Sequence, residues 1–163
     1  MPGLADVFHT LNELEHQNVI ERYAVAGAMA FLFYTEPART YDLDVFVFLP
    51  PQAGLLISMQ PMYKELESRG YSFNAEHVMM HGTPVQFLPV YNDLAEESVD
   101  QAVTHDYDGV SVRVISAEHL VALALQTGGE HRRVRAEALI ESGKLDTPKL
   151  NKIFVTHGID RKL

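Results

Sequence analysis

Residues 42–49 constrain what this chain can fold into more than any other segment. They include Val45, Val47 and two phenylalanines, and Pro50-Pro51 follow them, so they predict a β-strand that stops at the prolines. Apart from its two aspartates the segment is apolar on both faces, which is typical of an inner strand covered on both sides of a sheet. The sequence therefore predicts an α/β structure in which helices flank a mixed sheet.

The other periodic segments predict elements that complete this layered arrangement. Helical patterns lie at 4–19, 28–34, 55–68, 93–103, 116–125, 130–142 and 147–157, and strand patterns lie at 23–26, 71–80, 83–90 and 110–115. Pro61 predicts a kink or break in its helix, His81-Gly82 predict a hairpin turn, and Ser116 predicts a helix N-cap. With 163 residues, of which 47% are apolar, the chain is expected to form a single domain over 1–163.

Charge and cysteine content argue against several functional classes. The formal net charge of −9 disfavours extended DNA or RNA binding, which relies on Lys and Arg displacing counterions from phosphates. The absence of cysteine excludes disulfides, thiolate catalysis and thiolate zinc sites. The longest apolar stretch, 23–34, is too short to cross a bilayer, and the first residues do not resemble a signal peptide. We therefore expect a soluble cytoplasmic protein that has no membrane partner.

A glycine turn and an acidic pair form the main motif. Gly27-Ala28 lie at the end of the first predicted strand, and Asp42 and Asp44 begin the next one. Because side chains alternate along a strand, the two aspartates are expected to project from one face. Carboxylates placed in this way can hold divalent metal ions, and a glycine turn lets the backbone approach a phosphate. Taken alone, an Asp-x-Asp pair is also compatible with two solvated carboxylates at a strand end.

This combination resembles the motif of the nucleotidyltransferases of the DNA polymerase β superfamily. In that superfamily a small-residue turn opens a helix, and the next strand carries Asp-hydrophobic-Asp-hydrophobic, as in residues 42–45 (DLDV) here. Residues 40–47 (TYDLDVFV) and 132–140 (RRVRAEALI) are most similar to the small bacterial group that includes the AbiEii-type toxin nucleotidyltransferases. The resemblance implies a polymerase β-like core over about 20–115 and a helical C-terminal segment over 116–163.

The resemblance also implies a reaction and the residues that support it. The reaction is Mg²⁺- or Mn²⁺-dependent transfer of a nucleoside monophosphate from an NTP to an unidentified acceptor. Asp42 and Asp44 are implied as the catalytic metal ligands. The implied substrate-binding residues are Gly27, Ala28, Arg39, Thr40 and Arg132.

Two of these assignments have simpler alternatives. The Thr40 hydroxyl could brace the entry of the strand instead of contacting substrate. The arginines of the C-terminal segment could form a solvated helix face, balanced by neighbouring glutamates. The basic side chains concerned are Arg132, Arg133, Arg135 and Lys144, and the acidic ones are Glu130, Glu137 and Glu141.

Gln86 is the main departure from the superfamily pattern. A third carboxylate usually lies on a later strand, and Gln86 occupies the matching position in residues 84–89. A neutral amide can accept a hydrogen bond, but it can neither act as a base nor offset the charge of a cation. Ala28 is a second departure, because alanine offers no hydroxyl to a phosphate.

These departures leave three functional classes open. The first is an active nucleotidyltransferase that uses Gln86 in the third position. The second is a catalytically degenerate member that binds a nucleotide or a protein partner as a regulator, in a toxin-antitoxin or phage-defence pair. The third is a purely structural or oligomerising domain.

His77 and His81 are the remaining pair of interest. Both fall near the end of one strand-like segment, four residues apart, which predicts that they share a face. No third ligand is spaced to join them, so a surface pair is favoured over a zinc site.

Overall fold

The computed structural model describes residues 3–35, 42–52 and 58–160. In these residues the helices are α1 Leu4–His16, α2 Gly27–Phe31, α3 Gln60–Ser68, α4 Asp93–Asp100, α5 Ala117–Thr127, α6 Glu130–Glu141 and α7 Thr147–His157. The strands are β1 Arg22–Ala26, β2 Leu43–Phe48, β3 Ser72–Asn74, β4 His77–Met80, β5 Thr83–Pro89, β6 Val103–Tyr107 and β7 Val110–Val114. This mixture of helices and strands confirms the predicted fold class.

The described strands form one mixed sheet in the order β3-β4-β5-β2-β1-β7-β6. The strand β2 is an inner strand, antiparallel to β1 on one side and parallel to β5 on the other. Its apolar side chains Val45 and Val47 are buried on one face, and Phe46 is buried on the other. The prediction of an inner strand covered on both faces is therefore confirmed.

Helices cover both faces of the sheet. On one face, α1 is fastened to β1 because the buried Tyr23 hydroxyl donates to Asn12 Oδ1 at 2.7 Å. On the other face, α5 packs with Leu120 and Leu123 towards Phe46. The helix α6 packs against α5 and so lies further out on that second face.

A polar network ties α4 to α5 and α7. The Ser116 hydroxyl caps α5 by accepting from the His119 backbone N–H at 3.1 Å, and it lies 2.7 Å from His119 Nδ1. The His119 imidazole is fully buried, and its other nitrogen, Nε2, lies 3.0 Å from Glu97 Oε2. His157 Nε2 lies 3.0 Å from the same Glu97 oxygen. Burial acts to raise the pKa of Glu97, but hydrogen bonds from the two histidines bring it below its usual range. Burial lowers the pKa of His119.

Several predicted boundaries differ from those of the structure, among them the ends of the first two helices. The segment 71–80 is two strands, because Ala75 adopts a φ of 54° and turns the chain between β3 and β4. The helix expected over 93–103 ends at Asp100, and β6 follows it as an edge strand that the sequence pattern did not predict. Of the helix predicted over 55–68, the described part begins at Gln60 with Pro61 in its first turn, where the missing N–H costs no helical hydrogen bond; the helix is therefore interrupted before Pro61 and is not kinked there, and 55–57 lie outside the described residues.

The hairpin turn at His81-Gly82 and the N-cap at Ser116 are confirmed. Among the described residues, no helix is both long and apolar enough to span a membrane.

Candidate active site

A row of three residues crosses the centre of the sheet where the predicted motif lies. Ala26 at the end of β1 pairs with Asp44 on β2, and Asp44 pairs with Gln86 on β5. Side chains at paired positions of neighbouring strands project from the same face, so Asp44 and Gln86 lie side by side. The structure thus brings together the glycine turn, the acidic pair and the third position of the motif.

Gly27 continues from this row and lies directly against Asp44. Its φ of 61° is in the left-handed region that favours glycine. A Cβ at Gly27 would lie 3.1 Å from both Cβ and Cγ of Asp44, and it would overlap Oδ2. The glycine is therefore required both for the turn and for the close approach of the backbone to the carboxylate.

The two aspartates differ in their surroundings. Asp42 precedes β2 and is exposed, and His77 Nε2 on β4 lies 3.4 Å from its Oδ2. Asp44 is partly buried, and burial raises its pKa above the usual range. The charge of Asp42 raises the Asp44 pKa further, while His77 and Arg132 act in the opposite direction. The site thus holds two like charges, of which that of Asp44 is partly desolvated, and this environment favours a bound cation.

The arginines of α6 divide into two groups. Arg133 is paired on the outer surface, with its guanidinium 2.8 Å from Glu130 and 3.4 Å from Glu137. Arg132 and Arg135 have no carboxylate within ion-pair distance in the described ranges. The alternative of a glutamate-balanced helix face therefore holds for Arg133 and does not extend to the other two.

Arg132 and Arg135 line the same cavity as the motif. This cavity, which we call the inner cavity, has a volume of about 210 Å³ and lies between the sheet and helices α5 and α6. Gly27 and Asp44 lie at its wall on the sheet side. Its remaining lining is mainly apolar and comprises Ala26, Phe31, Phe46, Leu88, Tyr91, Leu120, Leu123, Ala124 and Thr127.

A second cavity, the outer cavity, lies on the other side of Phe31 and has a volume of about 740 Å³. Ala28 lines it, together with Thr35 and with residues from α6 and the turn that follows α6. Phe31 and Arg135 line both cavities, so the two adjoin each other. Gly27 and Ala28 consequently lie at different cavities.

Some sequence predictions cannot be placed, and some site residues were not predicted. Arg39 and Thr40 lie outside the described residues. In the described ranges, no group of three or more His, Asp or Glu side chains could hold a metal ion. His77 contacts Asp42, whereas His81 lies in the turn with a φ of 50° and contacts Thr10, so the prediction of a shared face is wrong.

Arg135 and Tyr91 were not predicted as site residues. The spacing of Arg132 and Arg135, three apart on a helix, was the one sequence signal that they share a face. Tyr91 had no such signal, because its place at the inner cavity depends on contacts with distant parts of the chain.

Comparisons with known proteins identify the fold. No protein-family model matches the chain, and no curated protein matches its sequence. The chain is similar in structure to an antigenic nucleotidyltransferase-like protein from Paracoccidioides brasiliensis, with a TM-score of 0.58, 16% identity, and coverage of 85% of this chain and 74% of that one.

It is also similar to ANT(2'')-Ia in complex with adenylyl-2''-tobramycin, with a TM-score of 0.54, 11% identity, and coverage of 93% and 95%. A solution structure of the antibiotic-resistance factor ANT(2'')-Ia gives a TM-score of 0.54 at 11% identity and coverage of 96% and 92%. At these identities the likeness establishes the fold. The expected nucleotidyltransferase fold is therefore confirmed.

Proposed function

We propose that this protein transfers a nucleoside monophosphate from an NTP to an acceptor hydroxyl. The observation that carries the proposal is the contact of Gly27 with Asp44, in a row that continues to Gln86. A purely structural role would not require a glycine in close contact with a partly buried carboxylate. Nucleotidyl transfer does use this arrangement, because catalysis depends on positioning phosphates beside negative groups that hold metal ions.

Asp42 and Asp44 are suited to hold Mg²⁺ or Mn²⁺. Carboxylate oxygens are the ligands these cations prefer, and Mg²⁺ commonly binds one or two protein carboxylates together with substrate phosphates. The absence of a third acidic ligand in the described residues fits such a shared site. Once bound, the metal would bridge phosphate oxygens and offset their charge.

The phosphates of the NTP would bind between the glycine turn and α6. Gly27 and Ala28 allow the backbone to approach the phosphates closely. Arg132 offers a guanidinium at the same cavity as Gly27, and its charge acts to lower the pKa of Asp44. Arg39 and Thr40 are proposed as further substrate contacts on the basis of the sequence alone. We also propose that the helical segment 116–163 is part of one functional unit with the core at 20–115, since α6 supplies Arg132.

A thermal-shift panel tests the proposal. The four NTPs are added to the full chain with Mg²⁺ or Mn²⁺, and EDTA is the metal-free control. A ligand at about 100 times its Kd stabilises the native state by about 2.7 kcal/mol, which corresponds to a rise in Tm of about 5–11 °C for a chain of this size. Asp42→Ala and Asp44→Ala should abolish the shift, and Asp6→Ala, at an exposed position on α1, should retain it. An undiminished shift in both site variants would refute the metal role.

Gln86 supports a second candidate, a degenerate member that binds nucleotide without transferring it. Its amide beside Asp44 cannot serve as a base. Gln86→Asp separates the candidates when transfer is measured as release of pyrophosphate. A sharp rise indicates a degenerate site, whereas a fall from existing activity indicates that glutamine belongs to a working one. The toxin-antitoxin role of the AbiEii-type group, and any protein partner, belong to this second candidate.

A further inference from the structure

The two cavities at the site differ in their charged groups, because the described lining of the inner cavity contains a carboxylate and that of the outer cavity does not. The outer cavity presents Arg135 and Lys144 in a lining that is otherwise mainly apolar, and its described lining contains no Asp or Glu. Arg and Lys cations bind phosphate oxygens in proteins through charge-assisted hydrogen bonds. The outer cavity is therefore suited to the β- and γ-phosphates of an NTP whose α-phosphate lies beside Gly27 and Arg132.

The inner cavity is mainly apolar. Phe46, Leu88, Leu120 and Leu123 form its walls, and Asp44 is the one carboxylate in the described lining. Leu88 pairs with Phe46 across neighbouring strands, so these two side chains continue the face that carries Asp44. A ligand that enters here exchanges contact with water for contact with apolar side chains.

Tyr91 gives this cavity an aromatic edge. Its ring lies 5.8 Å from the Phe46 ring at a tilt of 59°, and the residue is 59% exposed. An exposed ring held beside an apolar wall provides a surface on which a flat ligand can pack. The inner cavity thus favours a ring over a flexible polar chain.

From this division we infer that the inner cavity receives the acceptor, and that the acceptor is a small hydroxyl compound with an apolar ring and no multiple positive charges. The inference rests on the proposed nucleotidyl transfer. The attacking and leaving oxygens lie roughly in line in such a reaction. If pyrophosphate leaves towards Lys144 in the outer cavity, the acceptor approaches from the inner cavity, where Leu88 and Tyr91 lie.

The charges of the inner cavity distinguish this acceptor from tobramycin, a polycation. Arg132 and Arg135 outnumber Asp44 in its described lining. Bringing several ammonium groups beside Arg132 and Arg135, which have no carboxylate within ion-pair distance in the described ranges, is unfavourable, because like charges repel strongly in a partly desolvated site.

The reaction balances without any further reactant. The acceptor hydroxyl oxygen forms a bond to the α-phosphorus, and the bond from that phosphorus to the oxygen bridging it to the β-phosphorus breaks. Pyrophosphate leaves with the electron pair of that bond. The hydroxyl proton passes to water, since the Gln86 amide cannot accept it.

Three hydroxyl compounds test the inference by saturation-transfer NMR on the full chain. Phenyl β-D-glucoside carries a ring, methyl β-D-glucoside carries the same sugar without a ring, and tobramycin carries several positive charges. The phenyl protons should receive saturation, and the other two compounds should give no signal at the same concentration. Adding Mg²⁺ with a saturating non-hydrolysable NTP analogue should leave the phenyl signal in place. With Mg²⁺ and NTP, phenyl β-D-glucoside should gain the mass of a nucleoside monophosphate less one water.

Tyr91→Ala and Phe73→Ala form a matched pair of variants. Phe73 on β3 is also exposed and also pairs with one ring, that of Tyr63 at 5.6 Å, but it lies away from the inner cavity. Loss of the Tyr91 ring should weaken phenyl glucoside binding about fivefold, and loss of the Phe73 ring should leave it unchanged.

Several results would overturn the inference. They are binding of tobramycin in preference to phenyl β-D-glucoside, equal effects of the two variants, and no phenyl signal at all. Displacement of the phenyl compound by the NTP analogue would assign the inner cavity to the nucleobase instead. If the phenyl compound binds but no NTP stabilises the protein, nucleotidyl transfer itself fails and the acceptor role fails with it, while the preference for rings stands.

Discussion

Gly27→Ala should damage this protein more than replacement of any glycine that merely adopts a positive φ. The reason is the contact with Asp44, whose carboxylate occupies the space that a Cβ would need. Gly158 is the matched control, because its φ of 63° is close to the 61° of Gly27 and a Cβ there would meet nothing within 4 Å. The two substitutions therefore share the cost of a left-handed alanine and differ in the displacement of Asp44.

The magnitudes follow from these two terms. A left-handed conformation costs an L-residue about 1–2 kcal/mol, which should be the whole effect of Gly158→Ala. Gly27→Ala adds the overpacking of Asp44, which typically costs about 1–3 kcal/mol because the side chain or the backbone must shift. For a chain of this length, that excess corresponds to a further fall in Tm of about 2–12 °C.

Urea unfolding of a double-mutant cycle measures the excess directly. Gly27→Ala is compared in the wild-type and Asp44→Ala backgrounds, and Gly158→Ala is compared in the same two. Removing the Asp44 carboxylate should relieve most of the extra cost at Gly27, giving a coupling free energy of about 1 kcal/mol or more. At Gly158 the coupling should be close to zero. Equal costs for the two glycine substitutions, or no coupling at Gly27, would refute the close approach on which the proposed site depends.

Three further predictions concern other parts of the molecule. Ser116→Ala removes both the α5 cap and a hydrogen bond to buried His119, so the free energy of unfolding in urea should fall by about 1–3 kcal/mol. The free energy of unfolding should also fall as pH is lowered below about 6.5, because His119 has a lowered pKa in the folded protein and so takes up a proton more readily when unfolded. It should fall again below the usual pKa range of glutamate, because the pKa of Glu97 is lowered in the folded protein. Unfolding curves from pH 8 to 4 check both steps, and His119→Gln should flatten the first. Arg132→Gln should weaken NTP binding about tenfold or more, because a charge-assisted contact is lost. Arg133→Gln should leave NTP binding unchanged, because Arg133 is paired with glutamates on the outer surface. Calorimetric titration with Mg²⁺ and NTP compares the two variants.

The sequence predicted those elements whose local pattern and tertiary surroundings agree. The strand β2 is apolar on both faces and lies inside the sheet, so its pattern matched its environment. The helix α5 had a serine cap and an apolar run, and both are used in the fold. The strand β6 failed this condition: it is a largely exposed edge strand, and its polar residues give no alternating apolar signal. The division of 71–80 was missed for a similar reason, since all three residues of β3 are exposed.

Only those residues of the candidate site that lie close together in the sequence could be predicted from it. Asp42, Asp44 and Gly27 could be found because they lie on consecutive elements that pair in the sheet. The positions of Arg135 and Tyr91 could not, because they depend on how α6 packs over α5 and on where the chain leaves β5. These contacts join residues far apart in the chain, and no local pattern records them.

The positions of the cations bear on the kind of phosphate ligand that we propose for this chain. A net charge of −9 argues against a polymer, yet it says nothing about individual cavities. Glutamates neutralise Arg133 on the outer surface, whereas Arg132, Arg135 and Lys144 line cavities whose described lining includes one carboxylate, Asp44. Three cations gathered in two adjoining cavities match the few phosphates of one nucleotide, while a nucleic-acid chain needs many cations spread along an open surface. The net negative charge and the cations of the two cavities therefore both support the proposal of a small phosphorylated ligand beside Asp44.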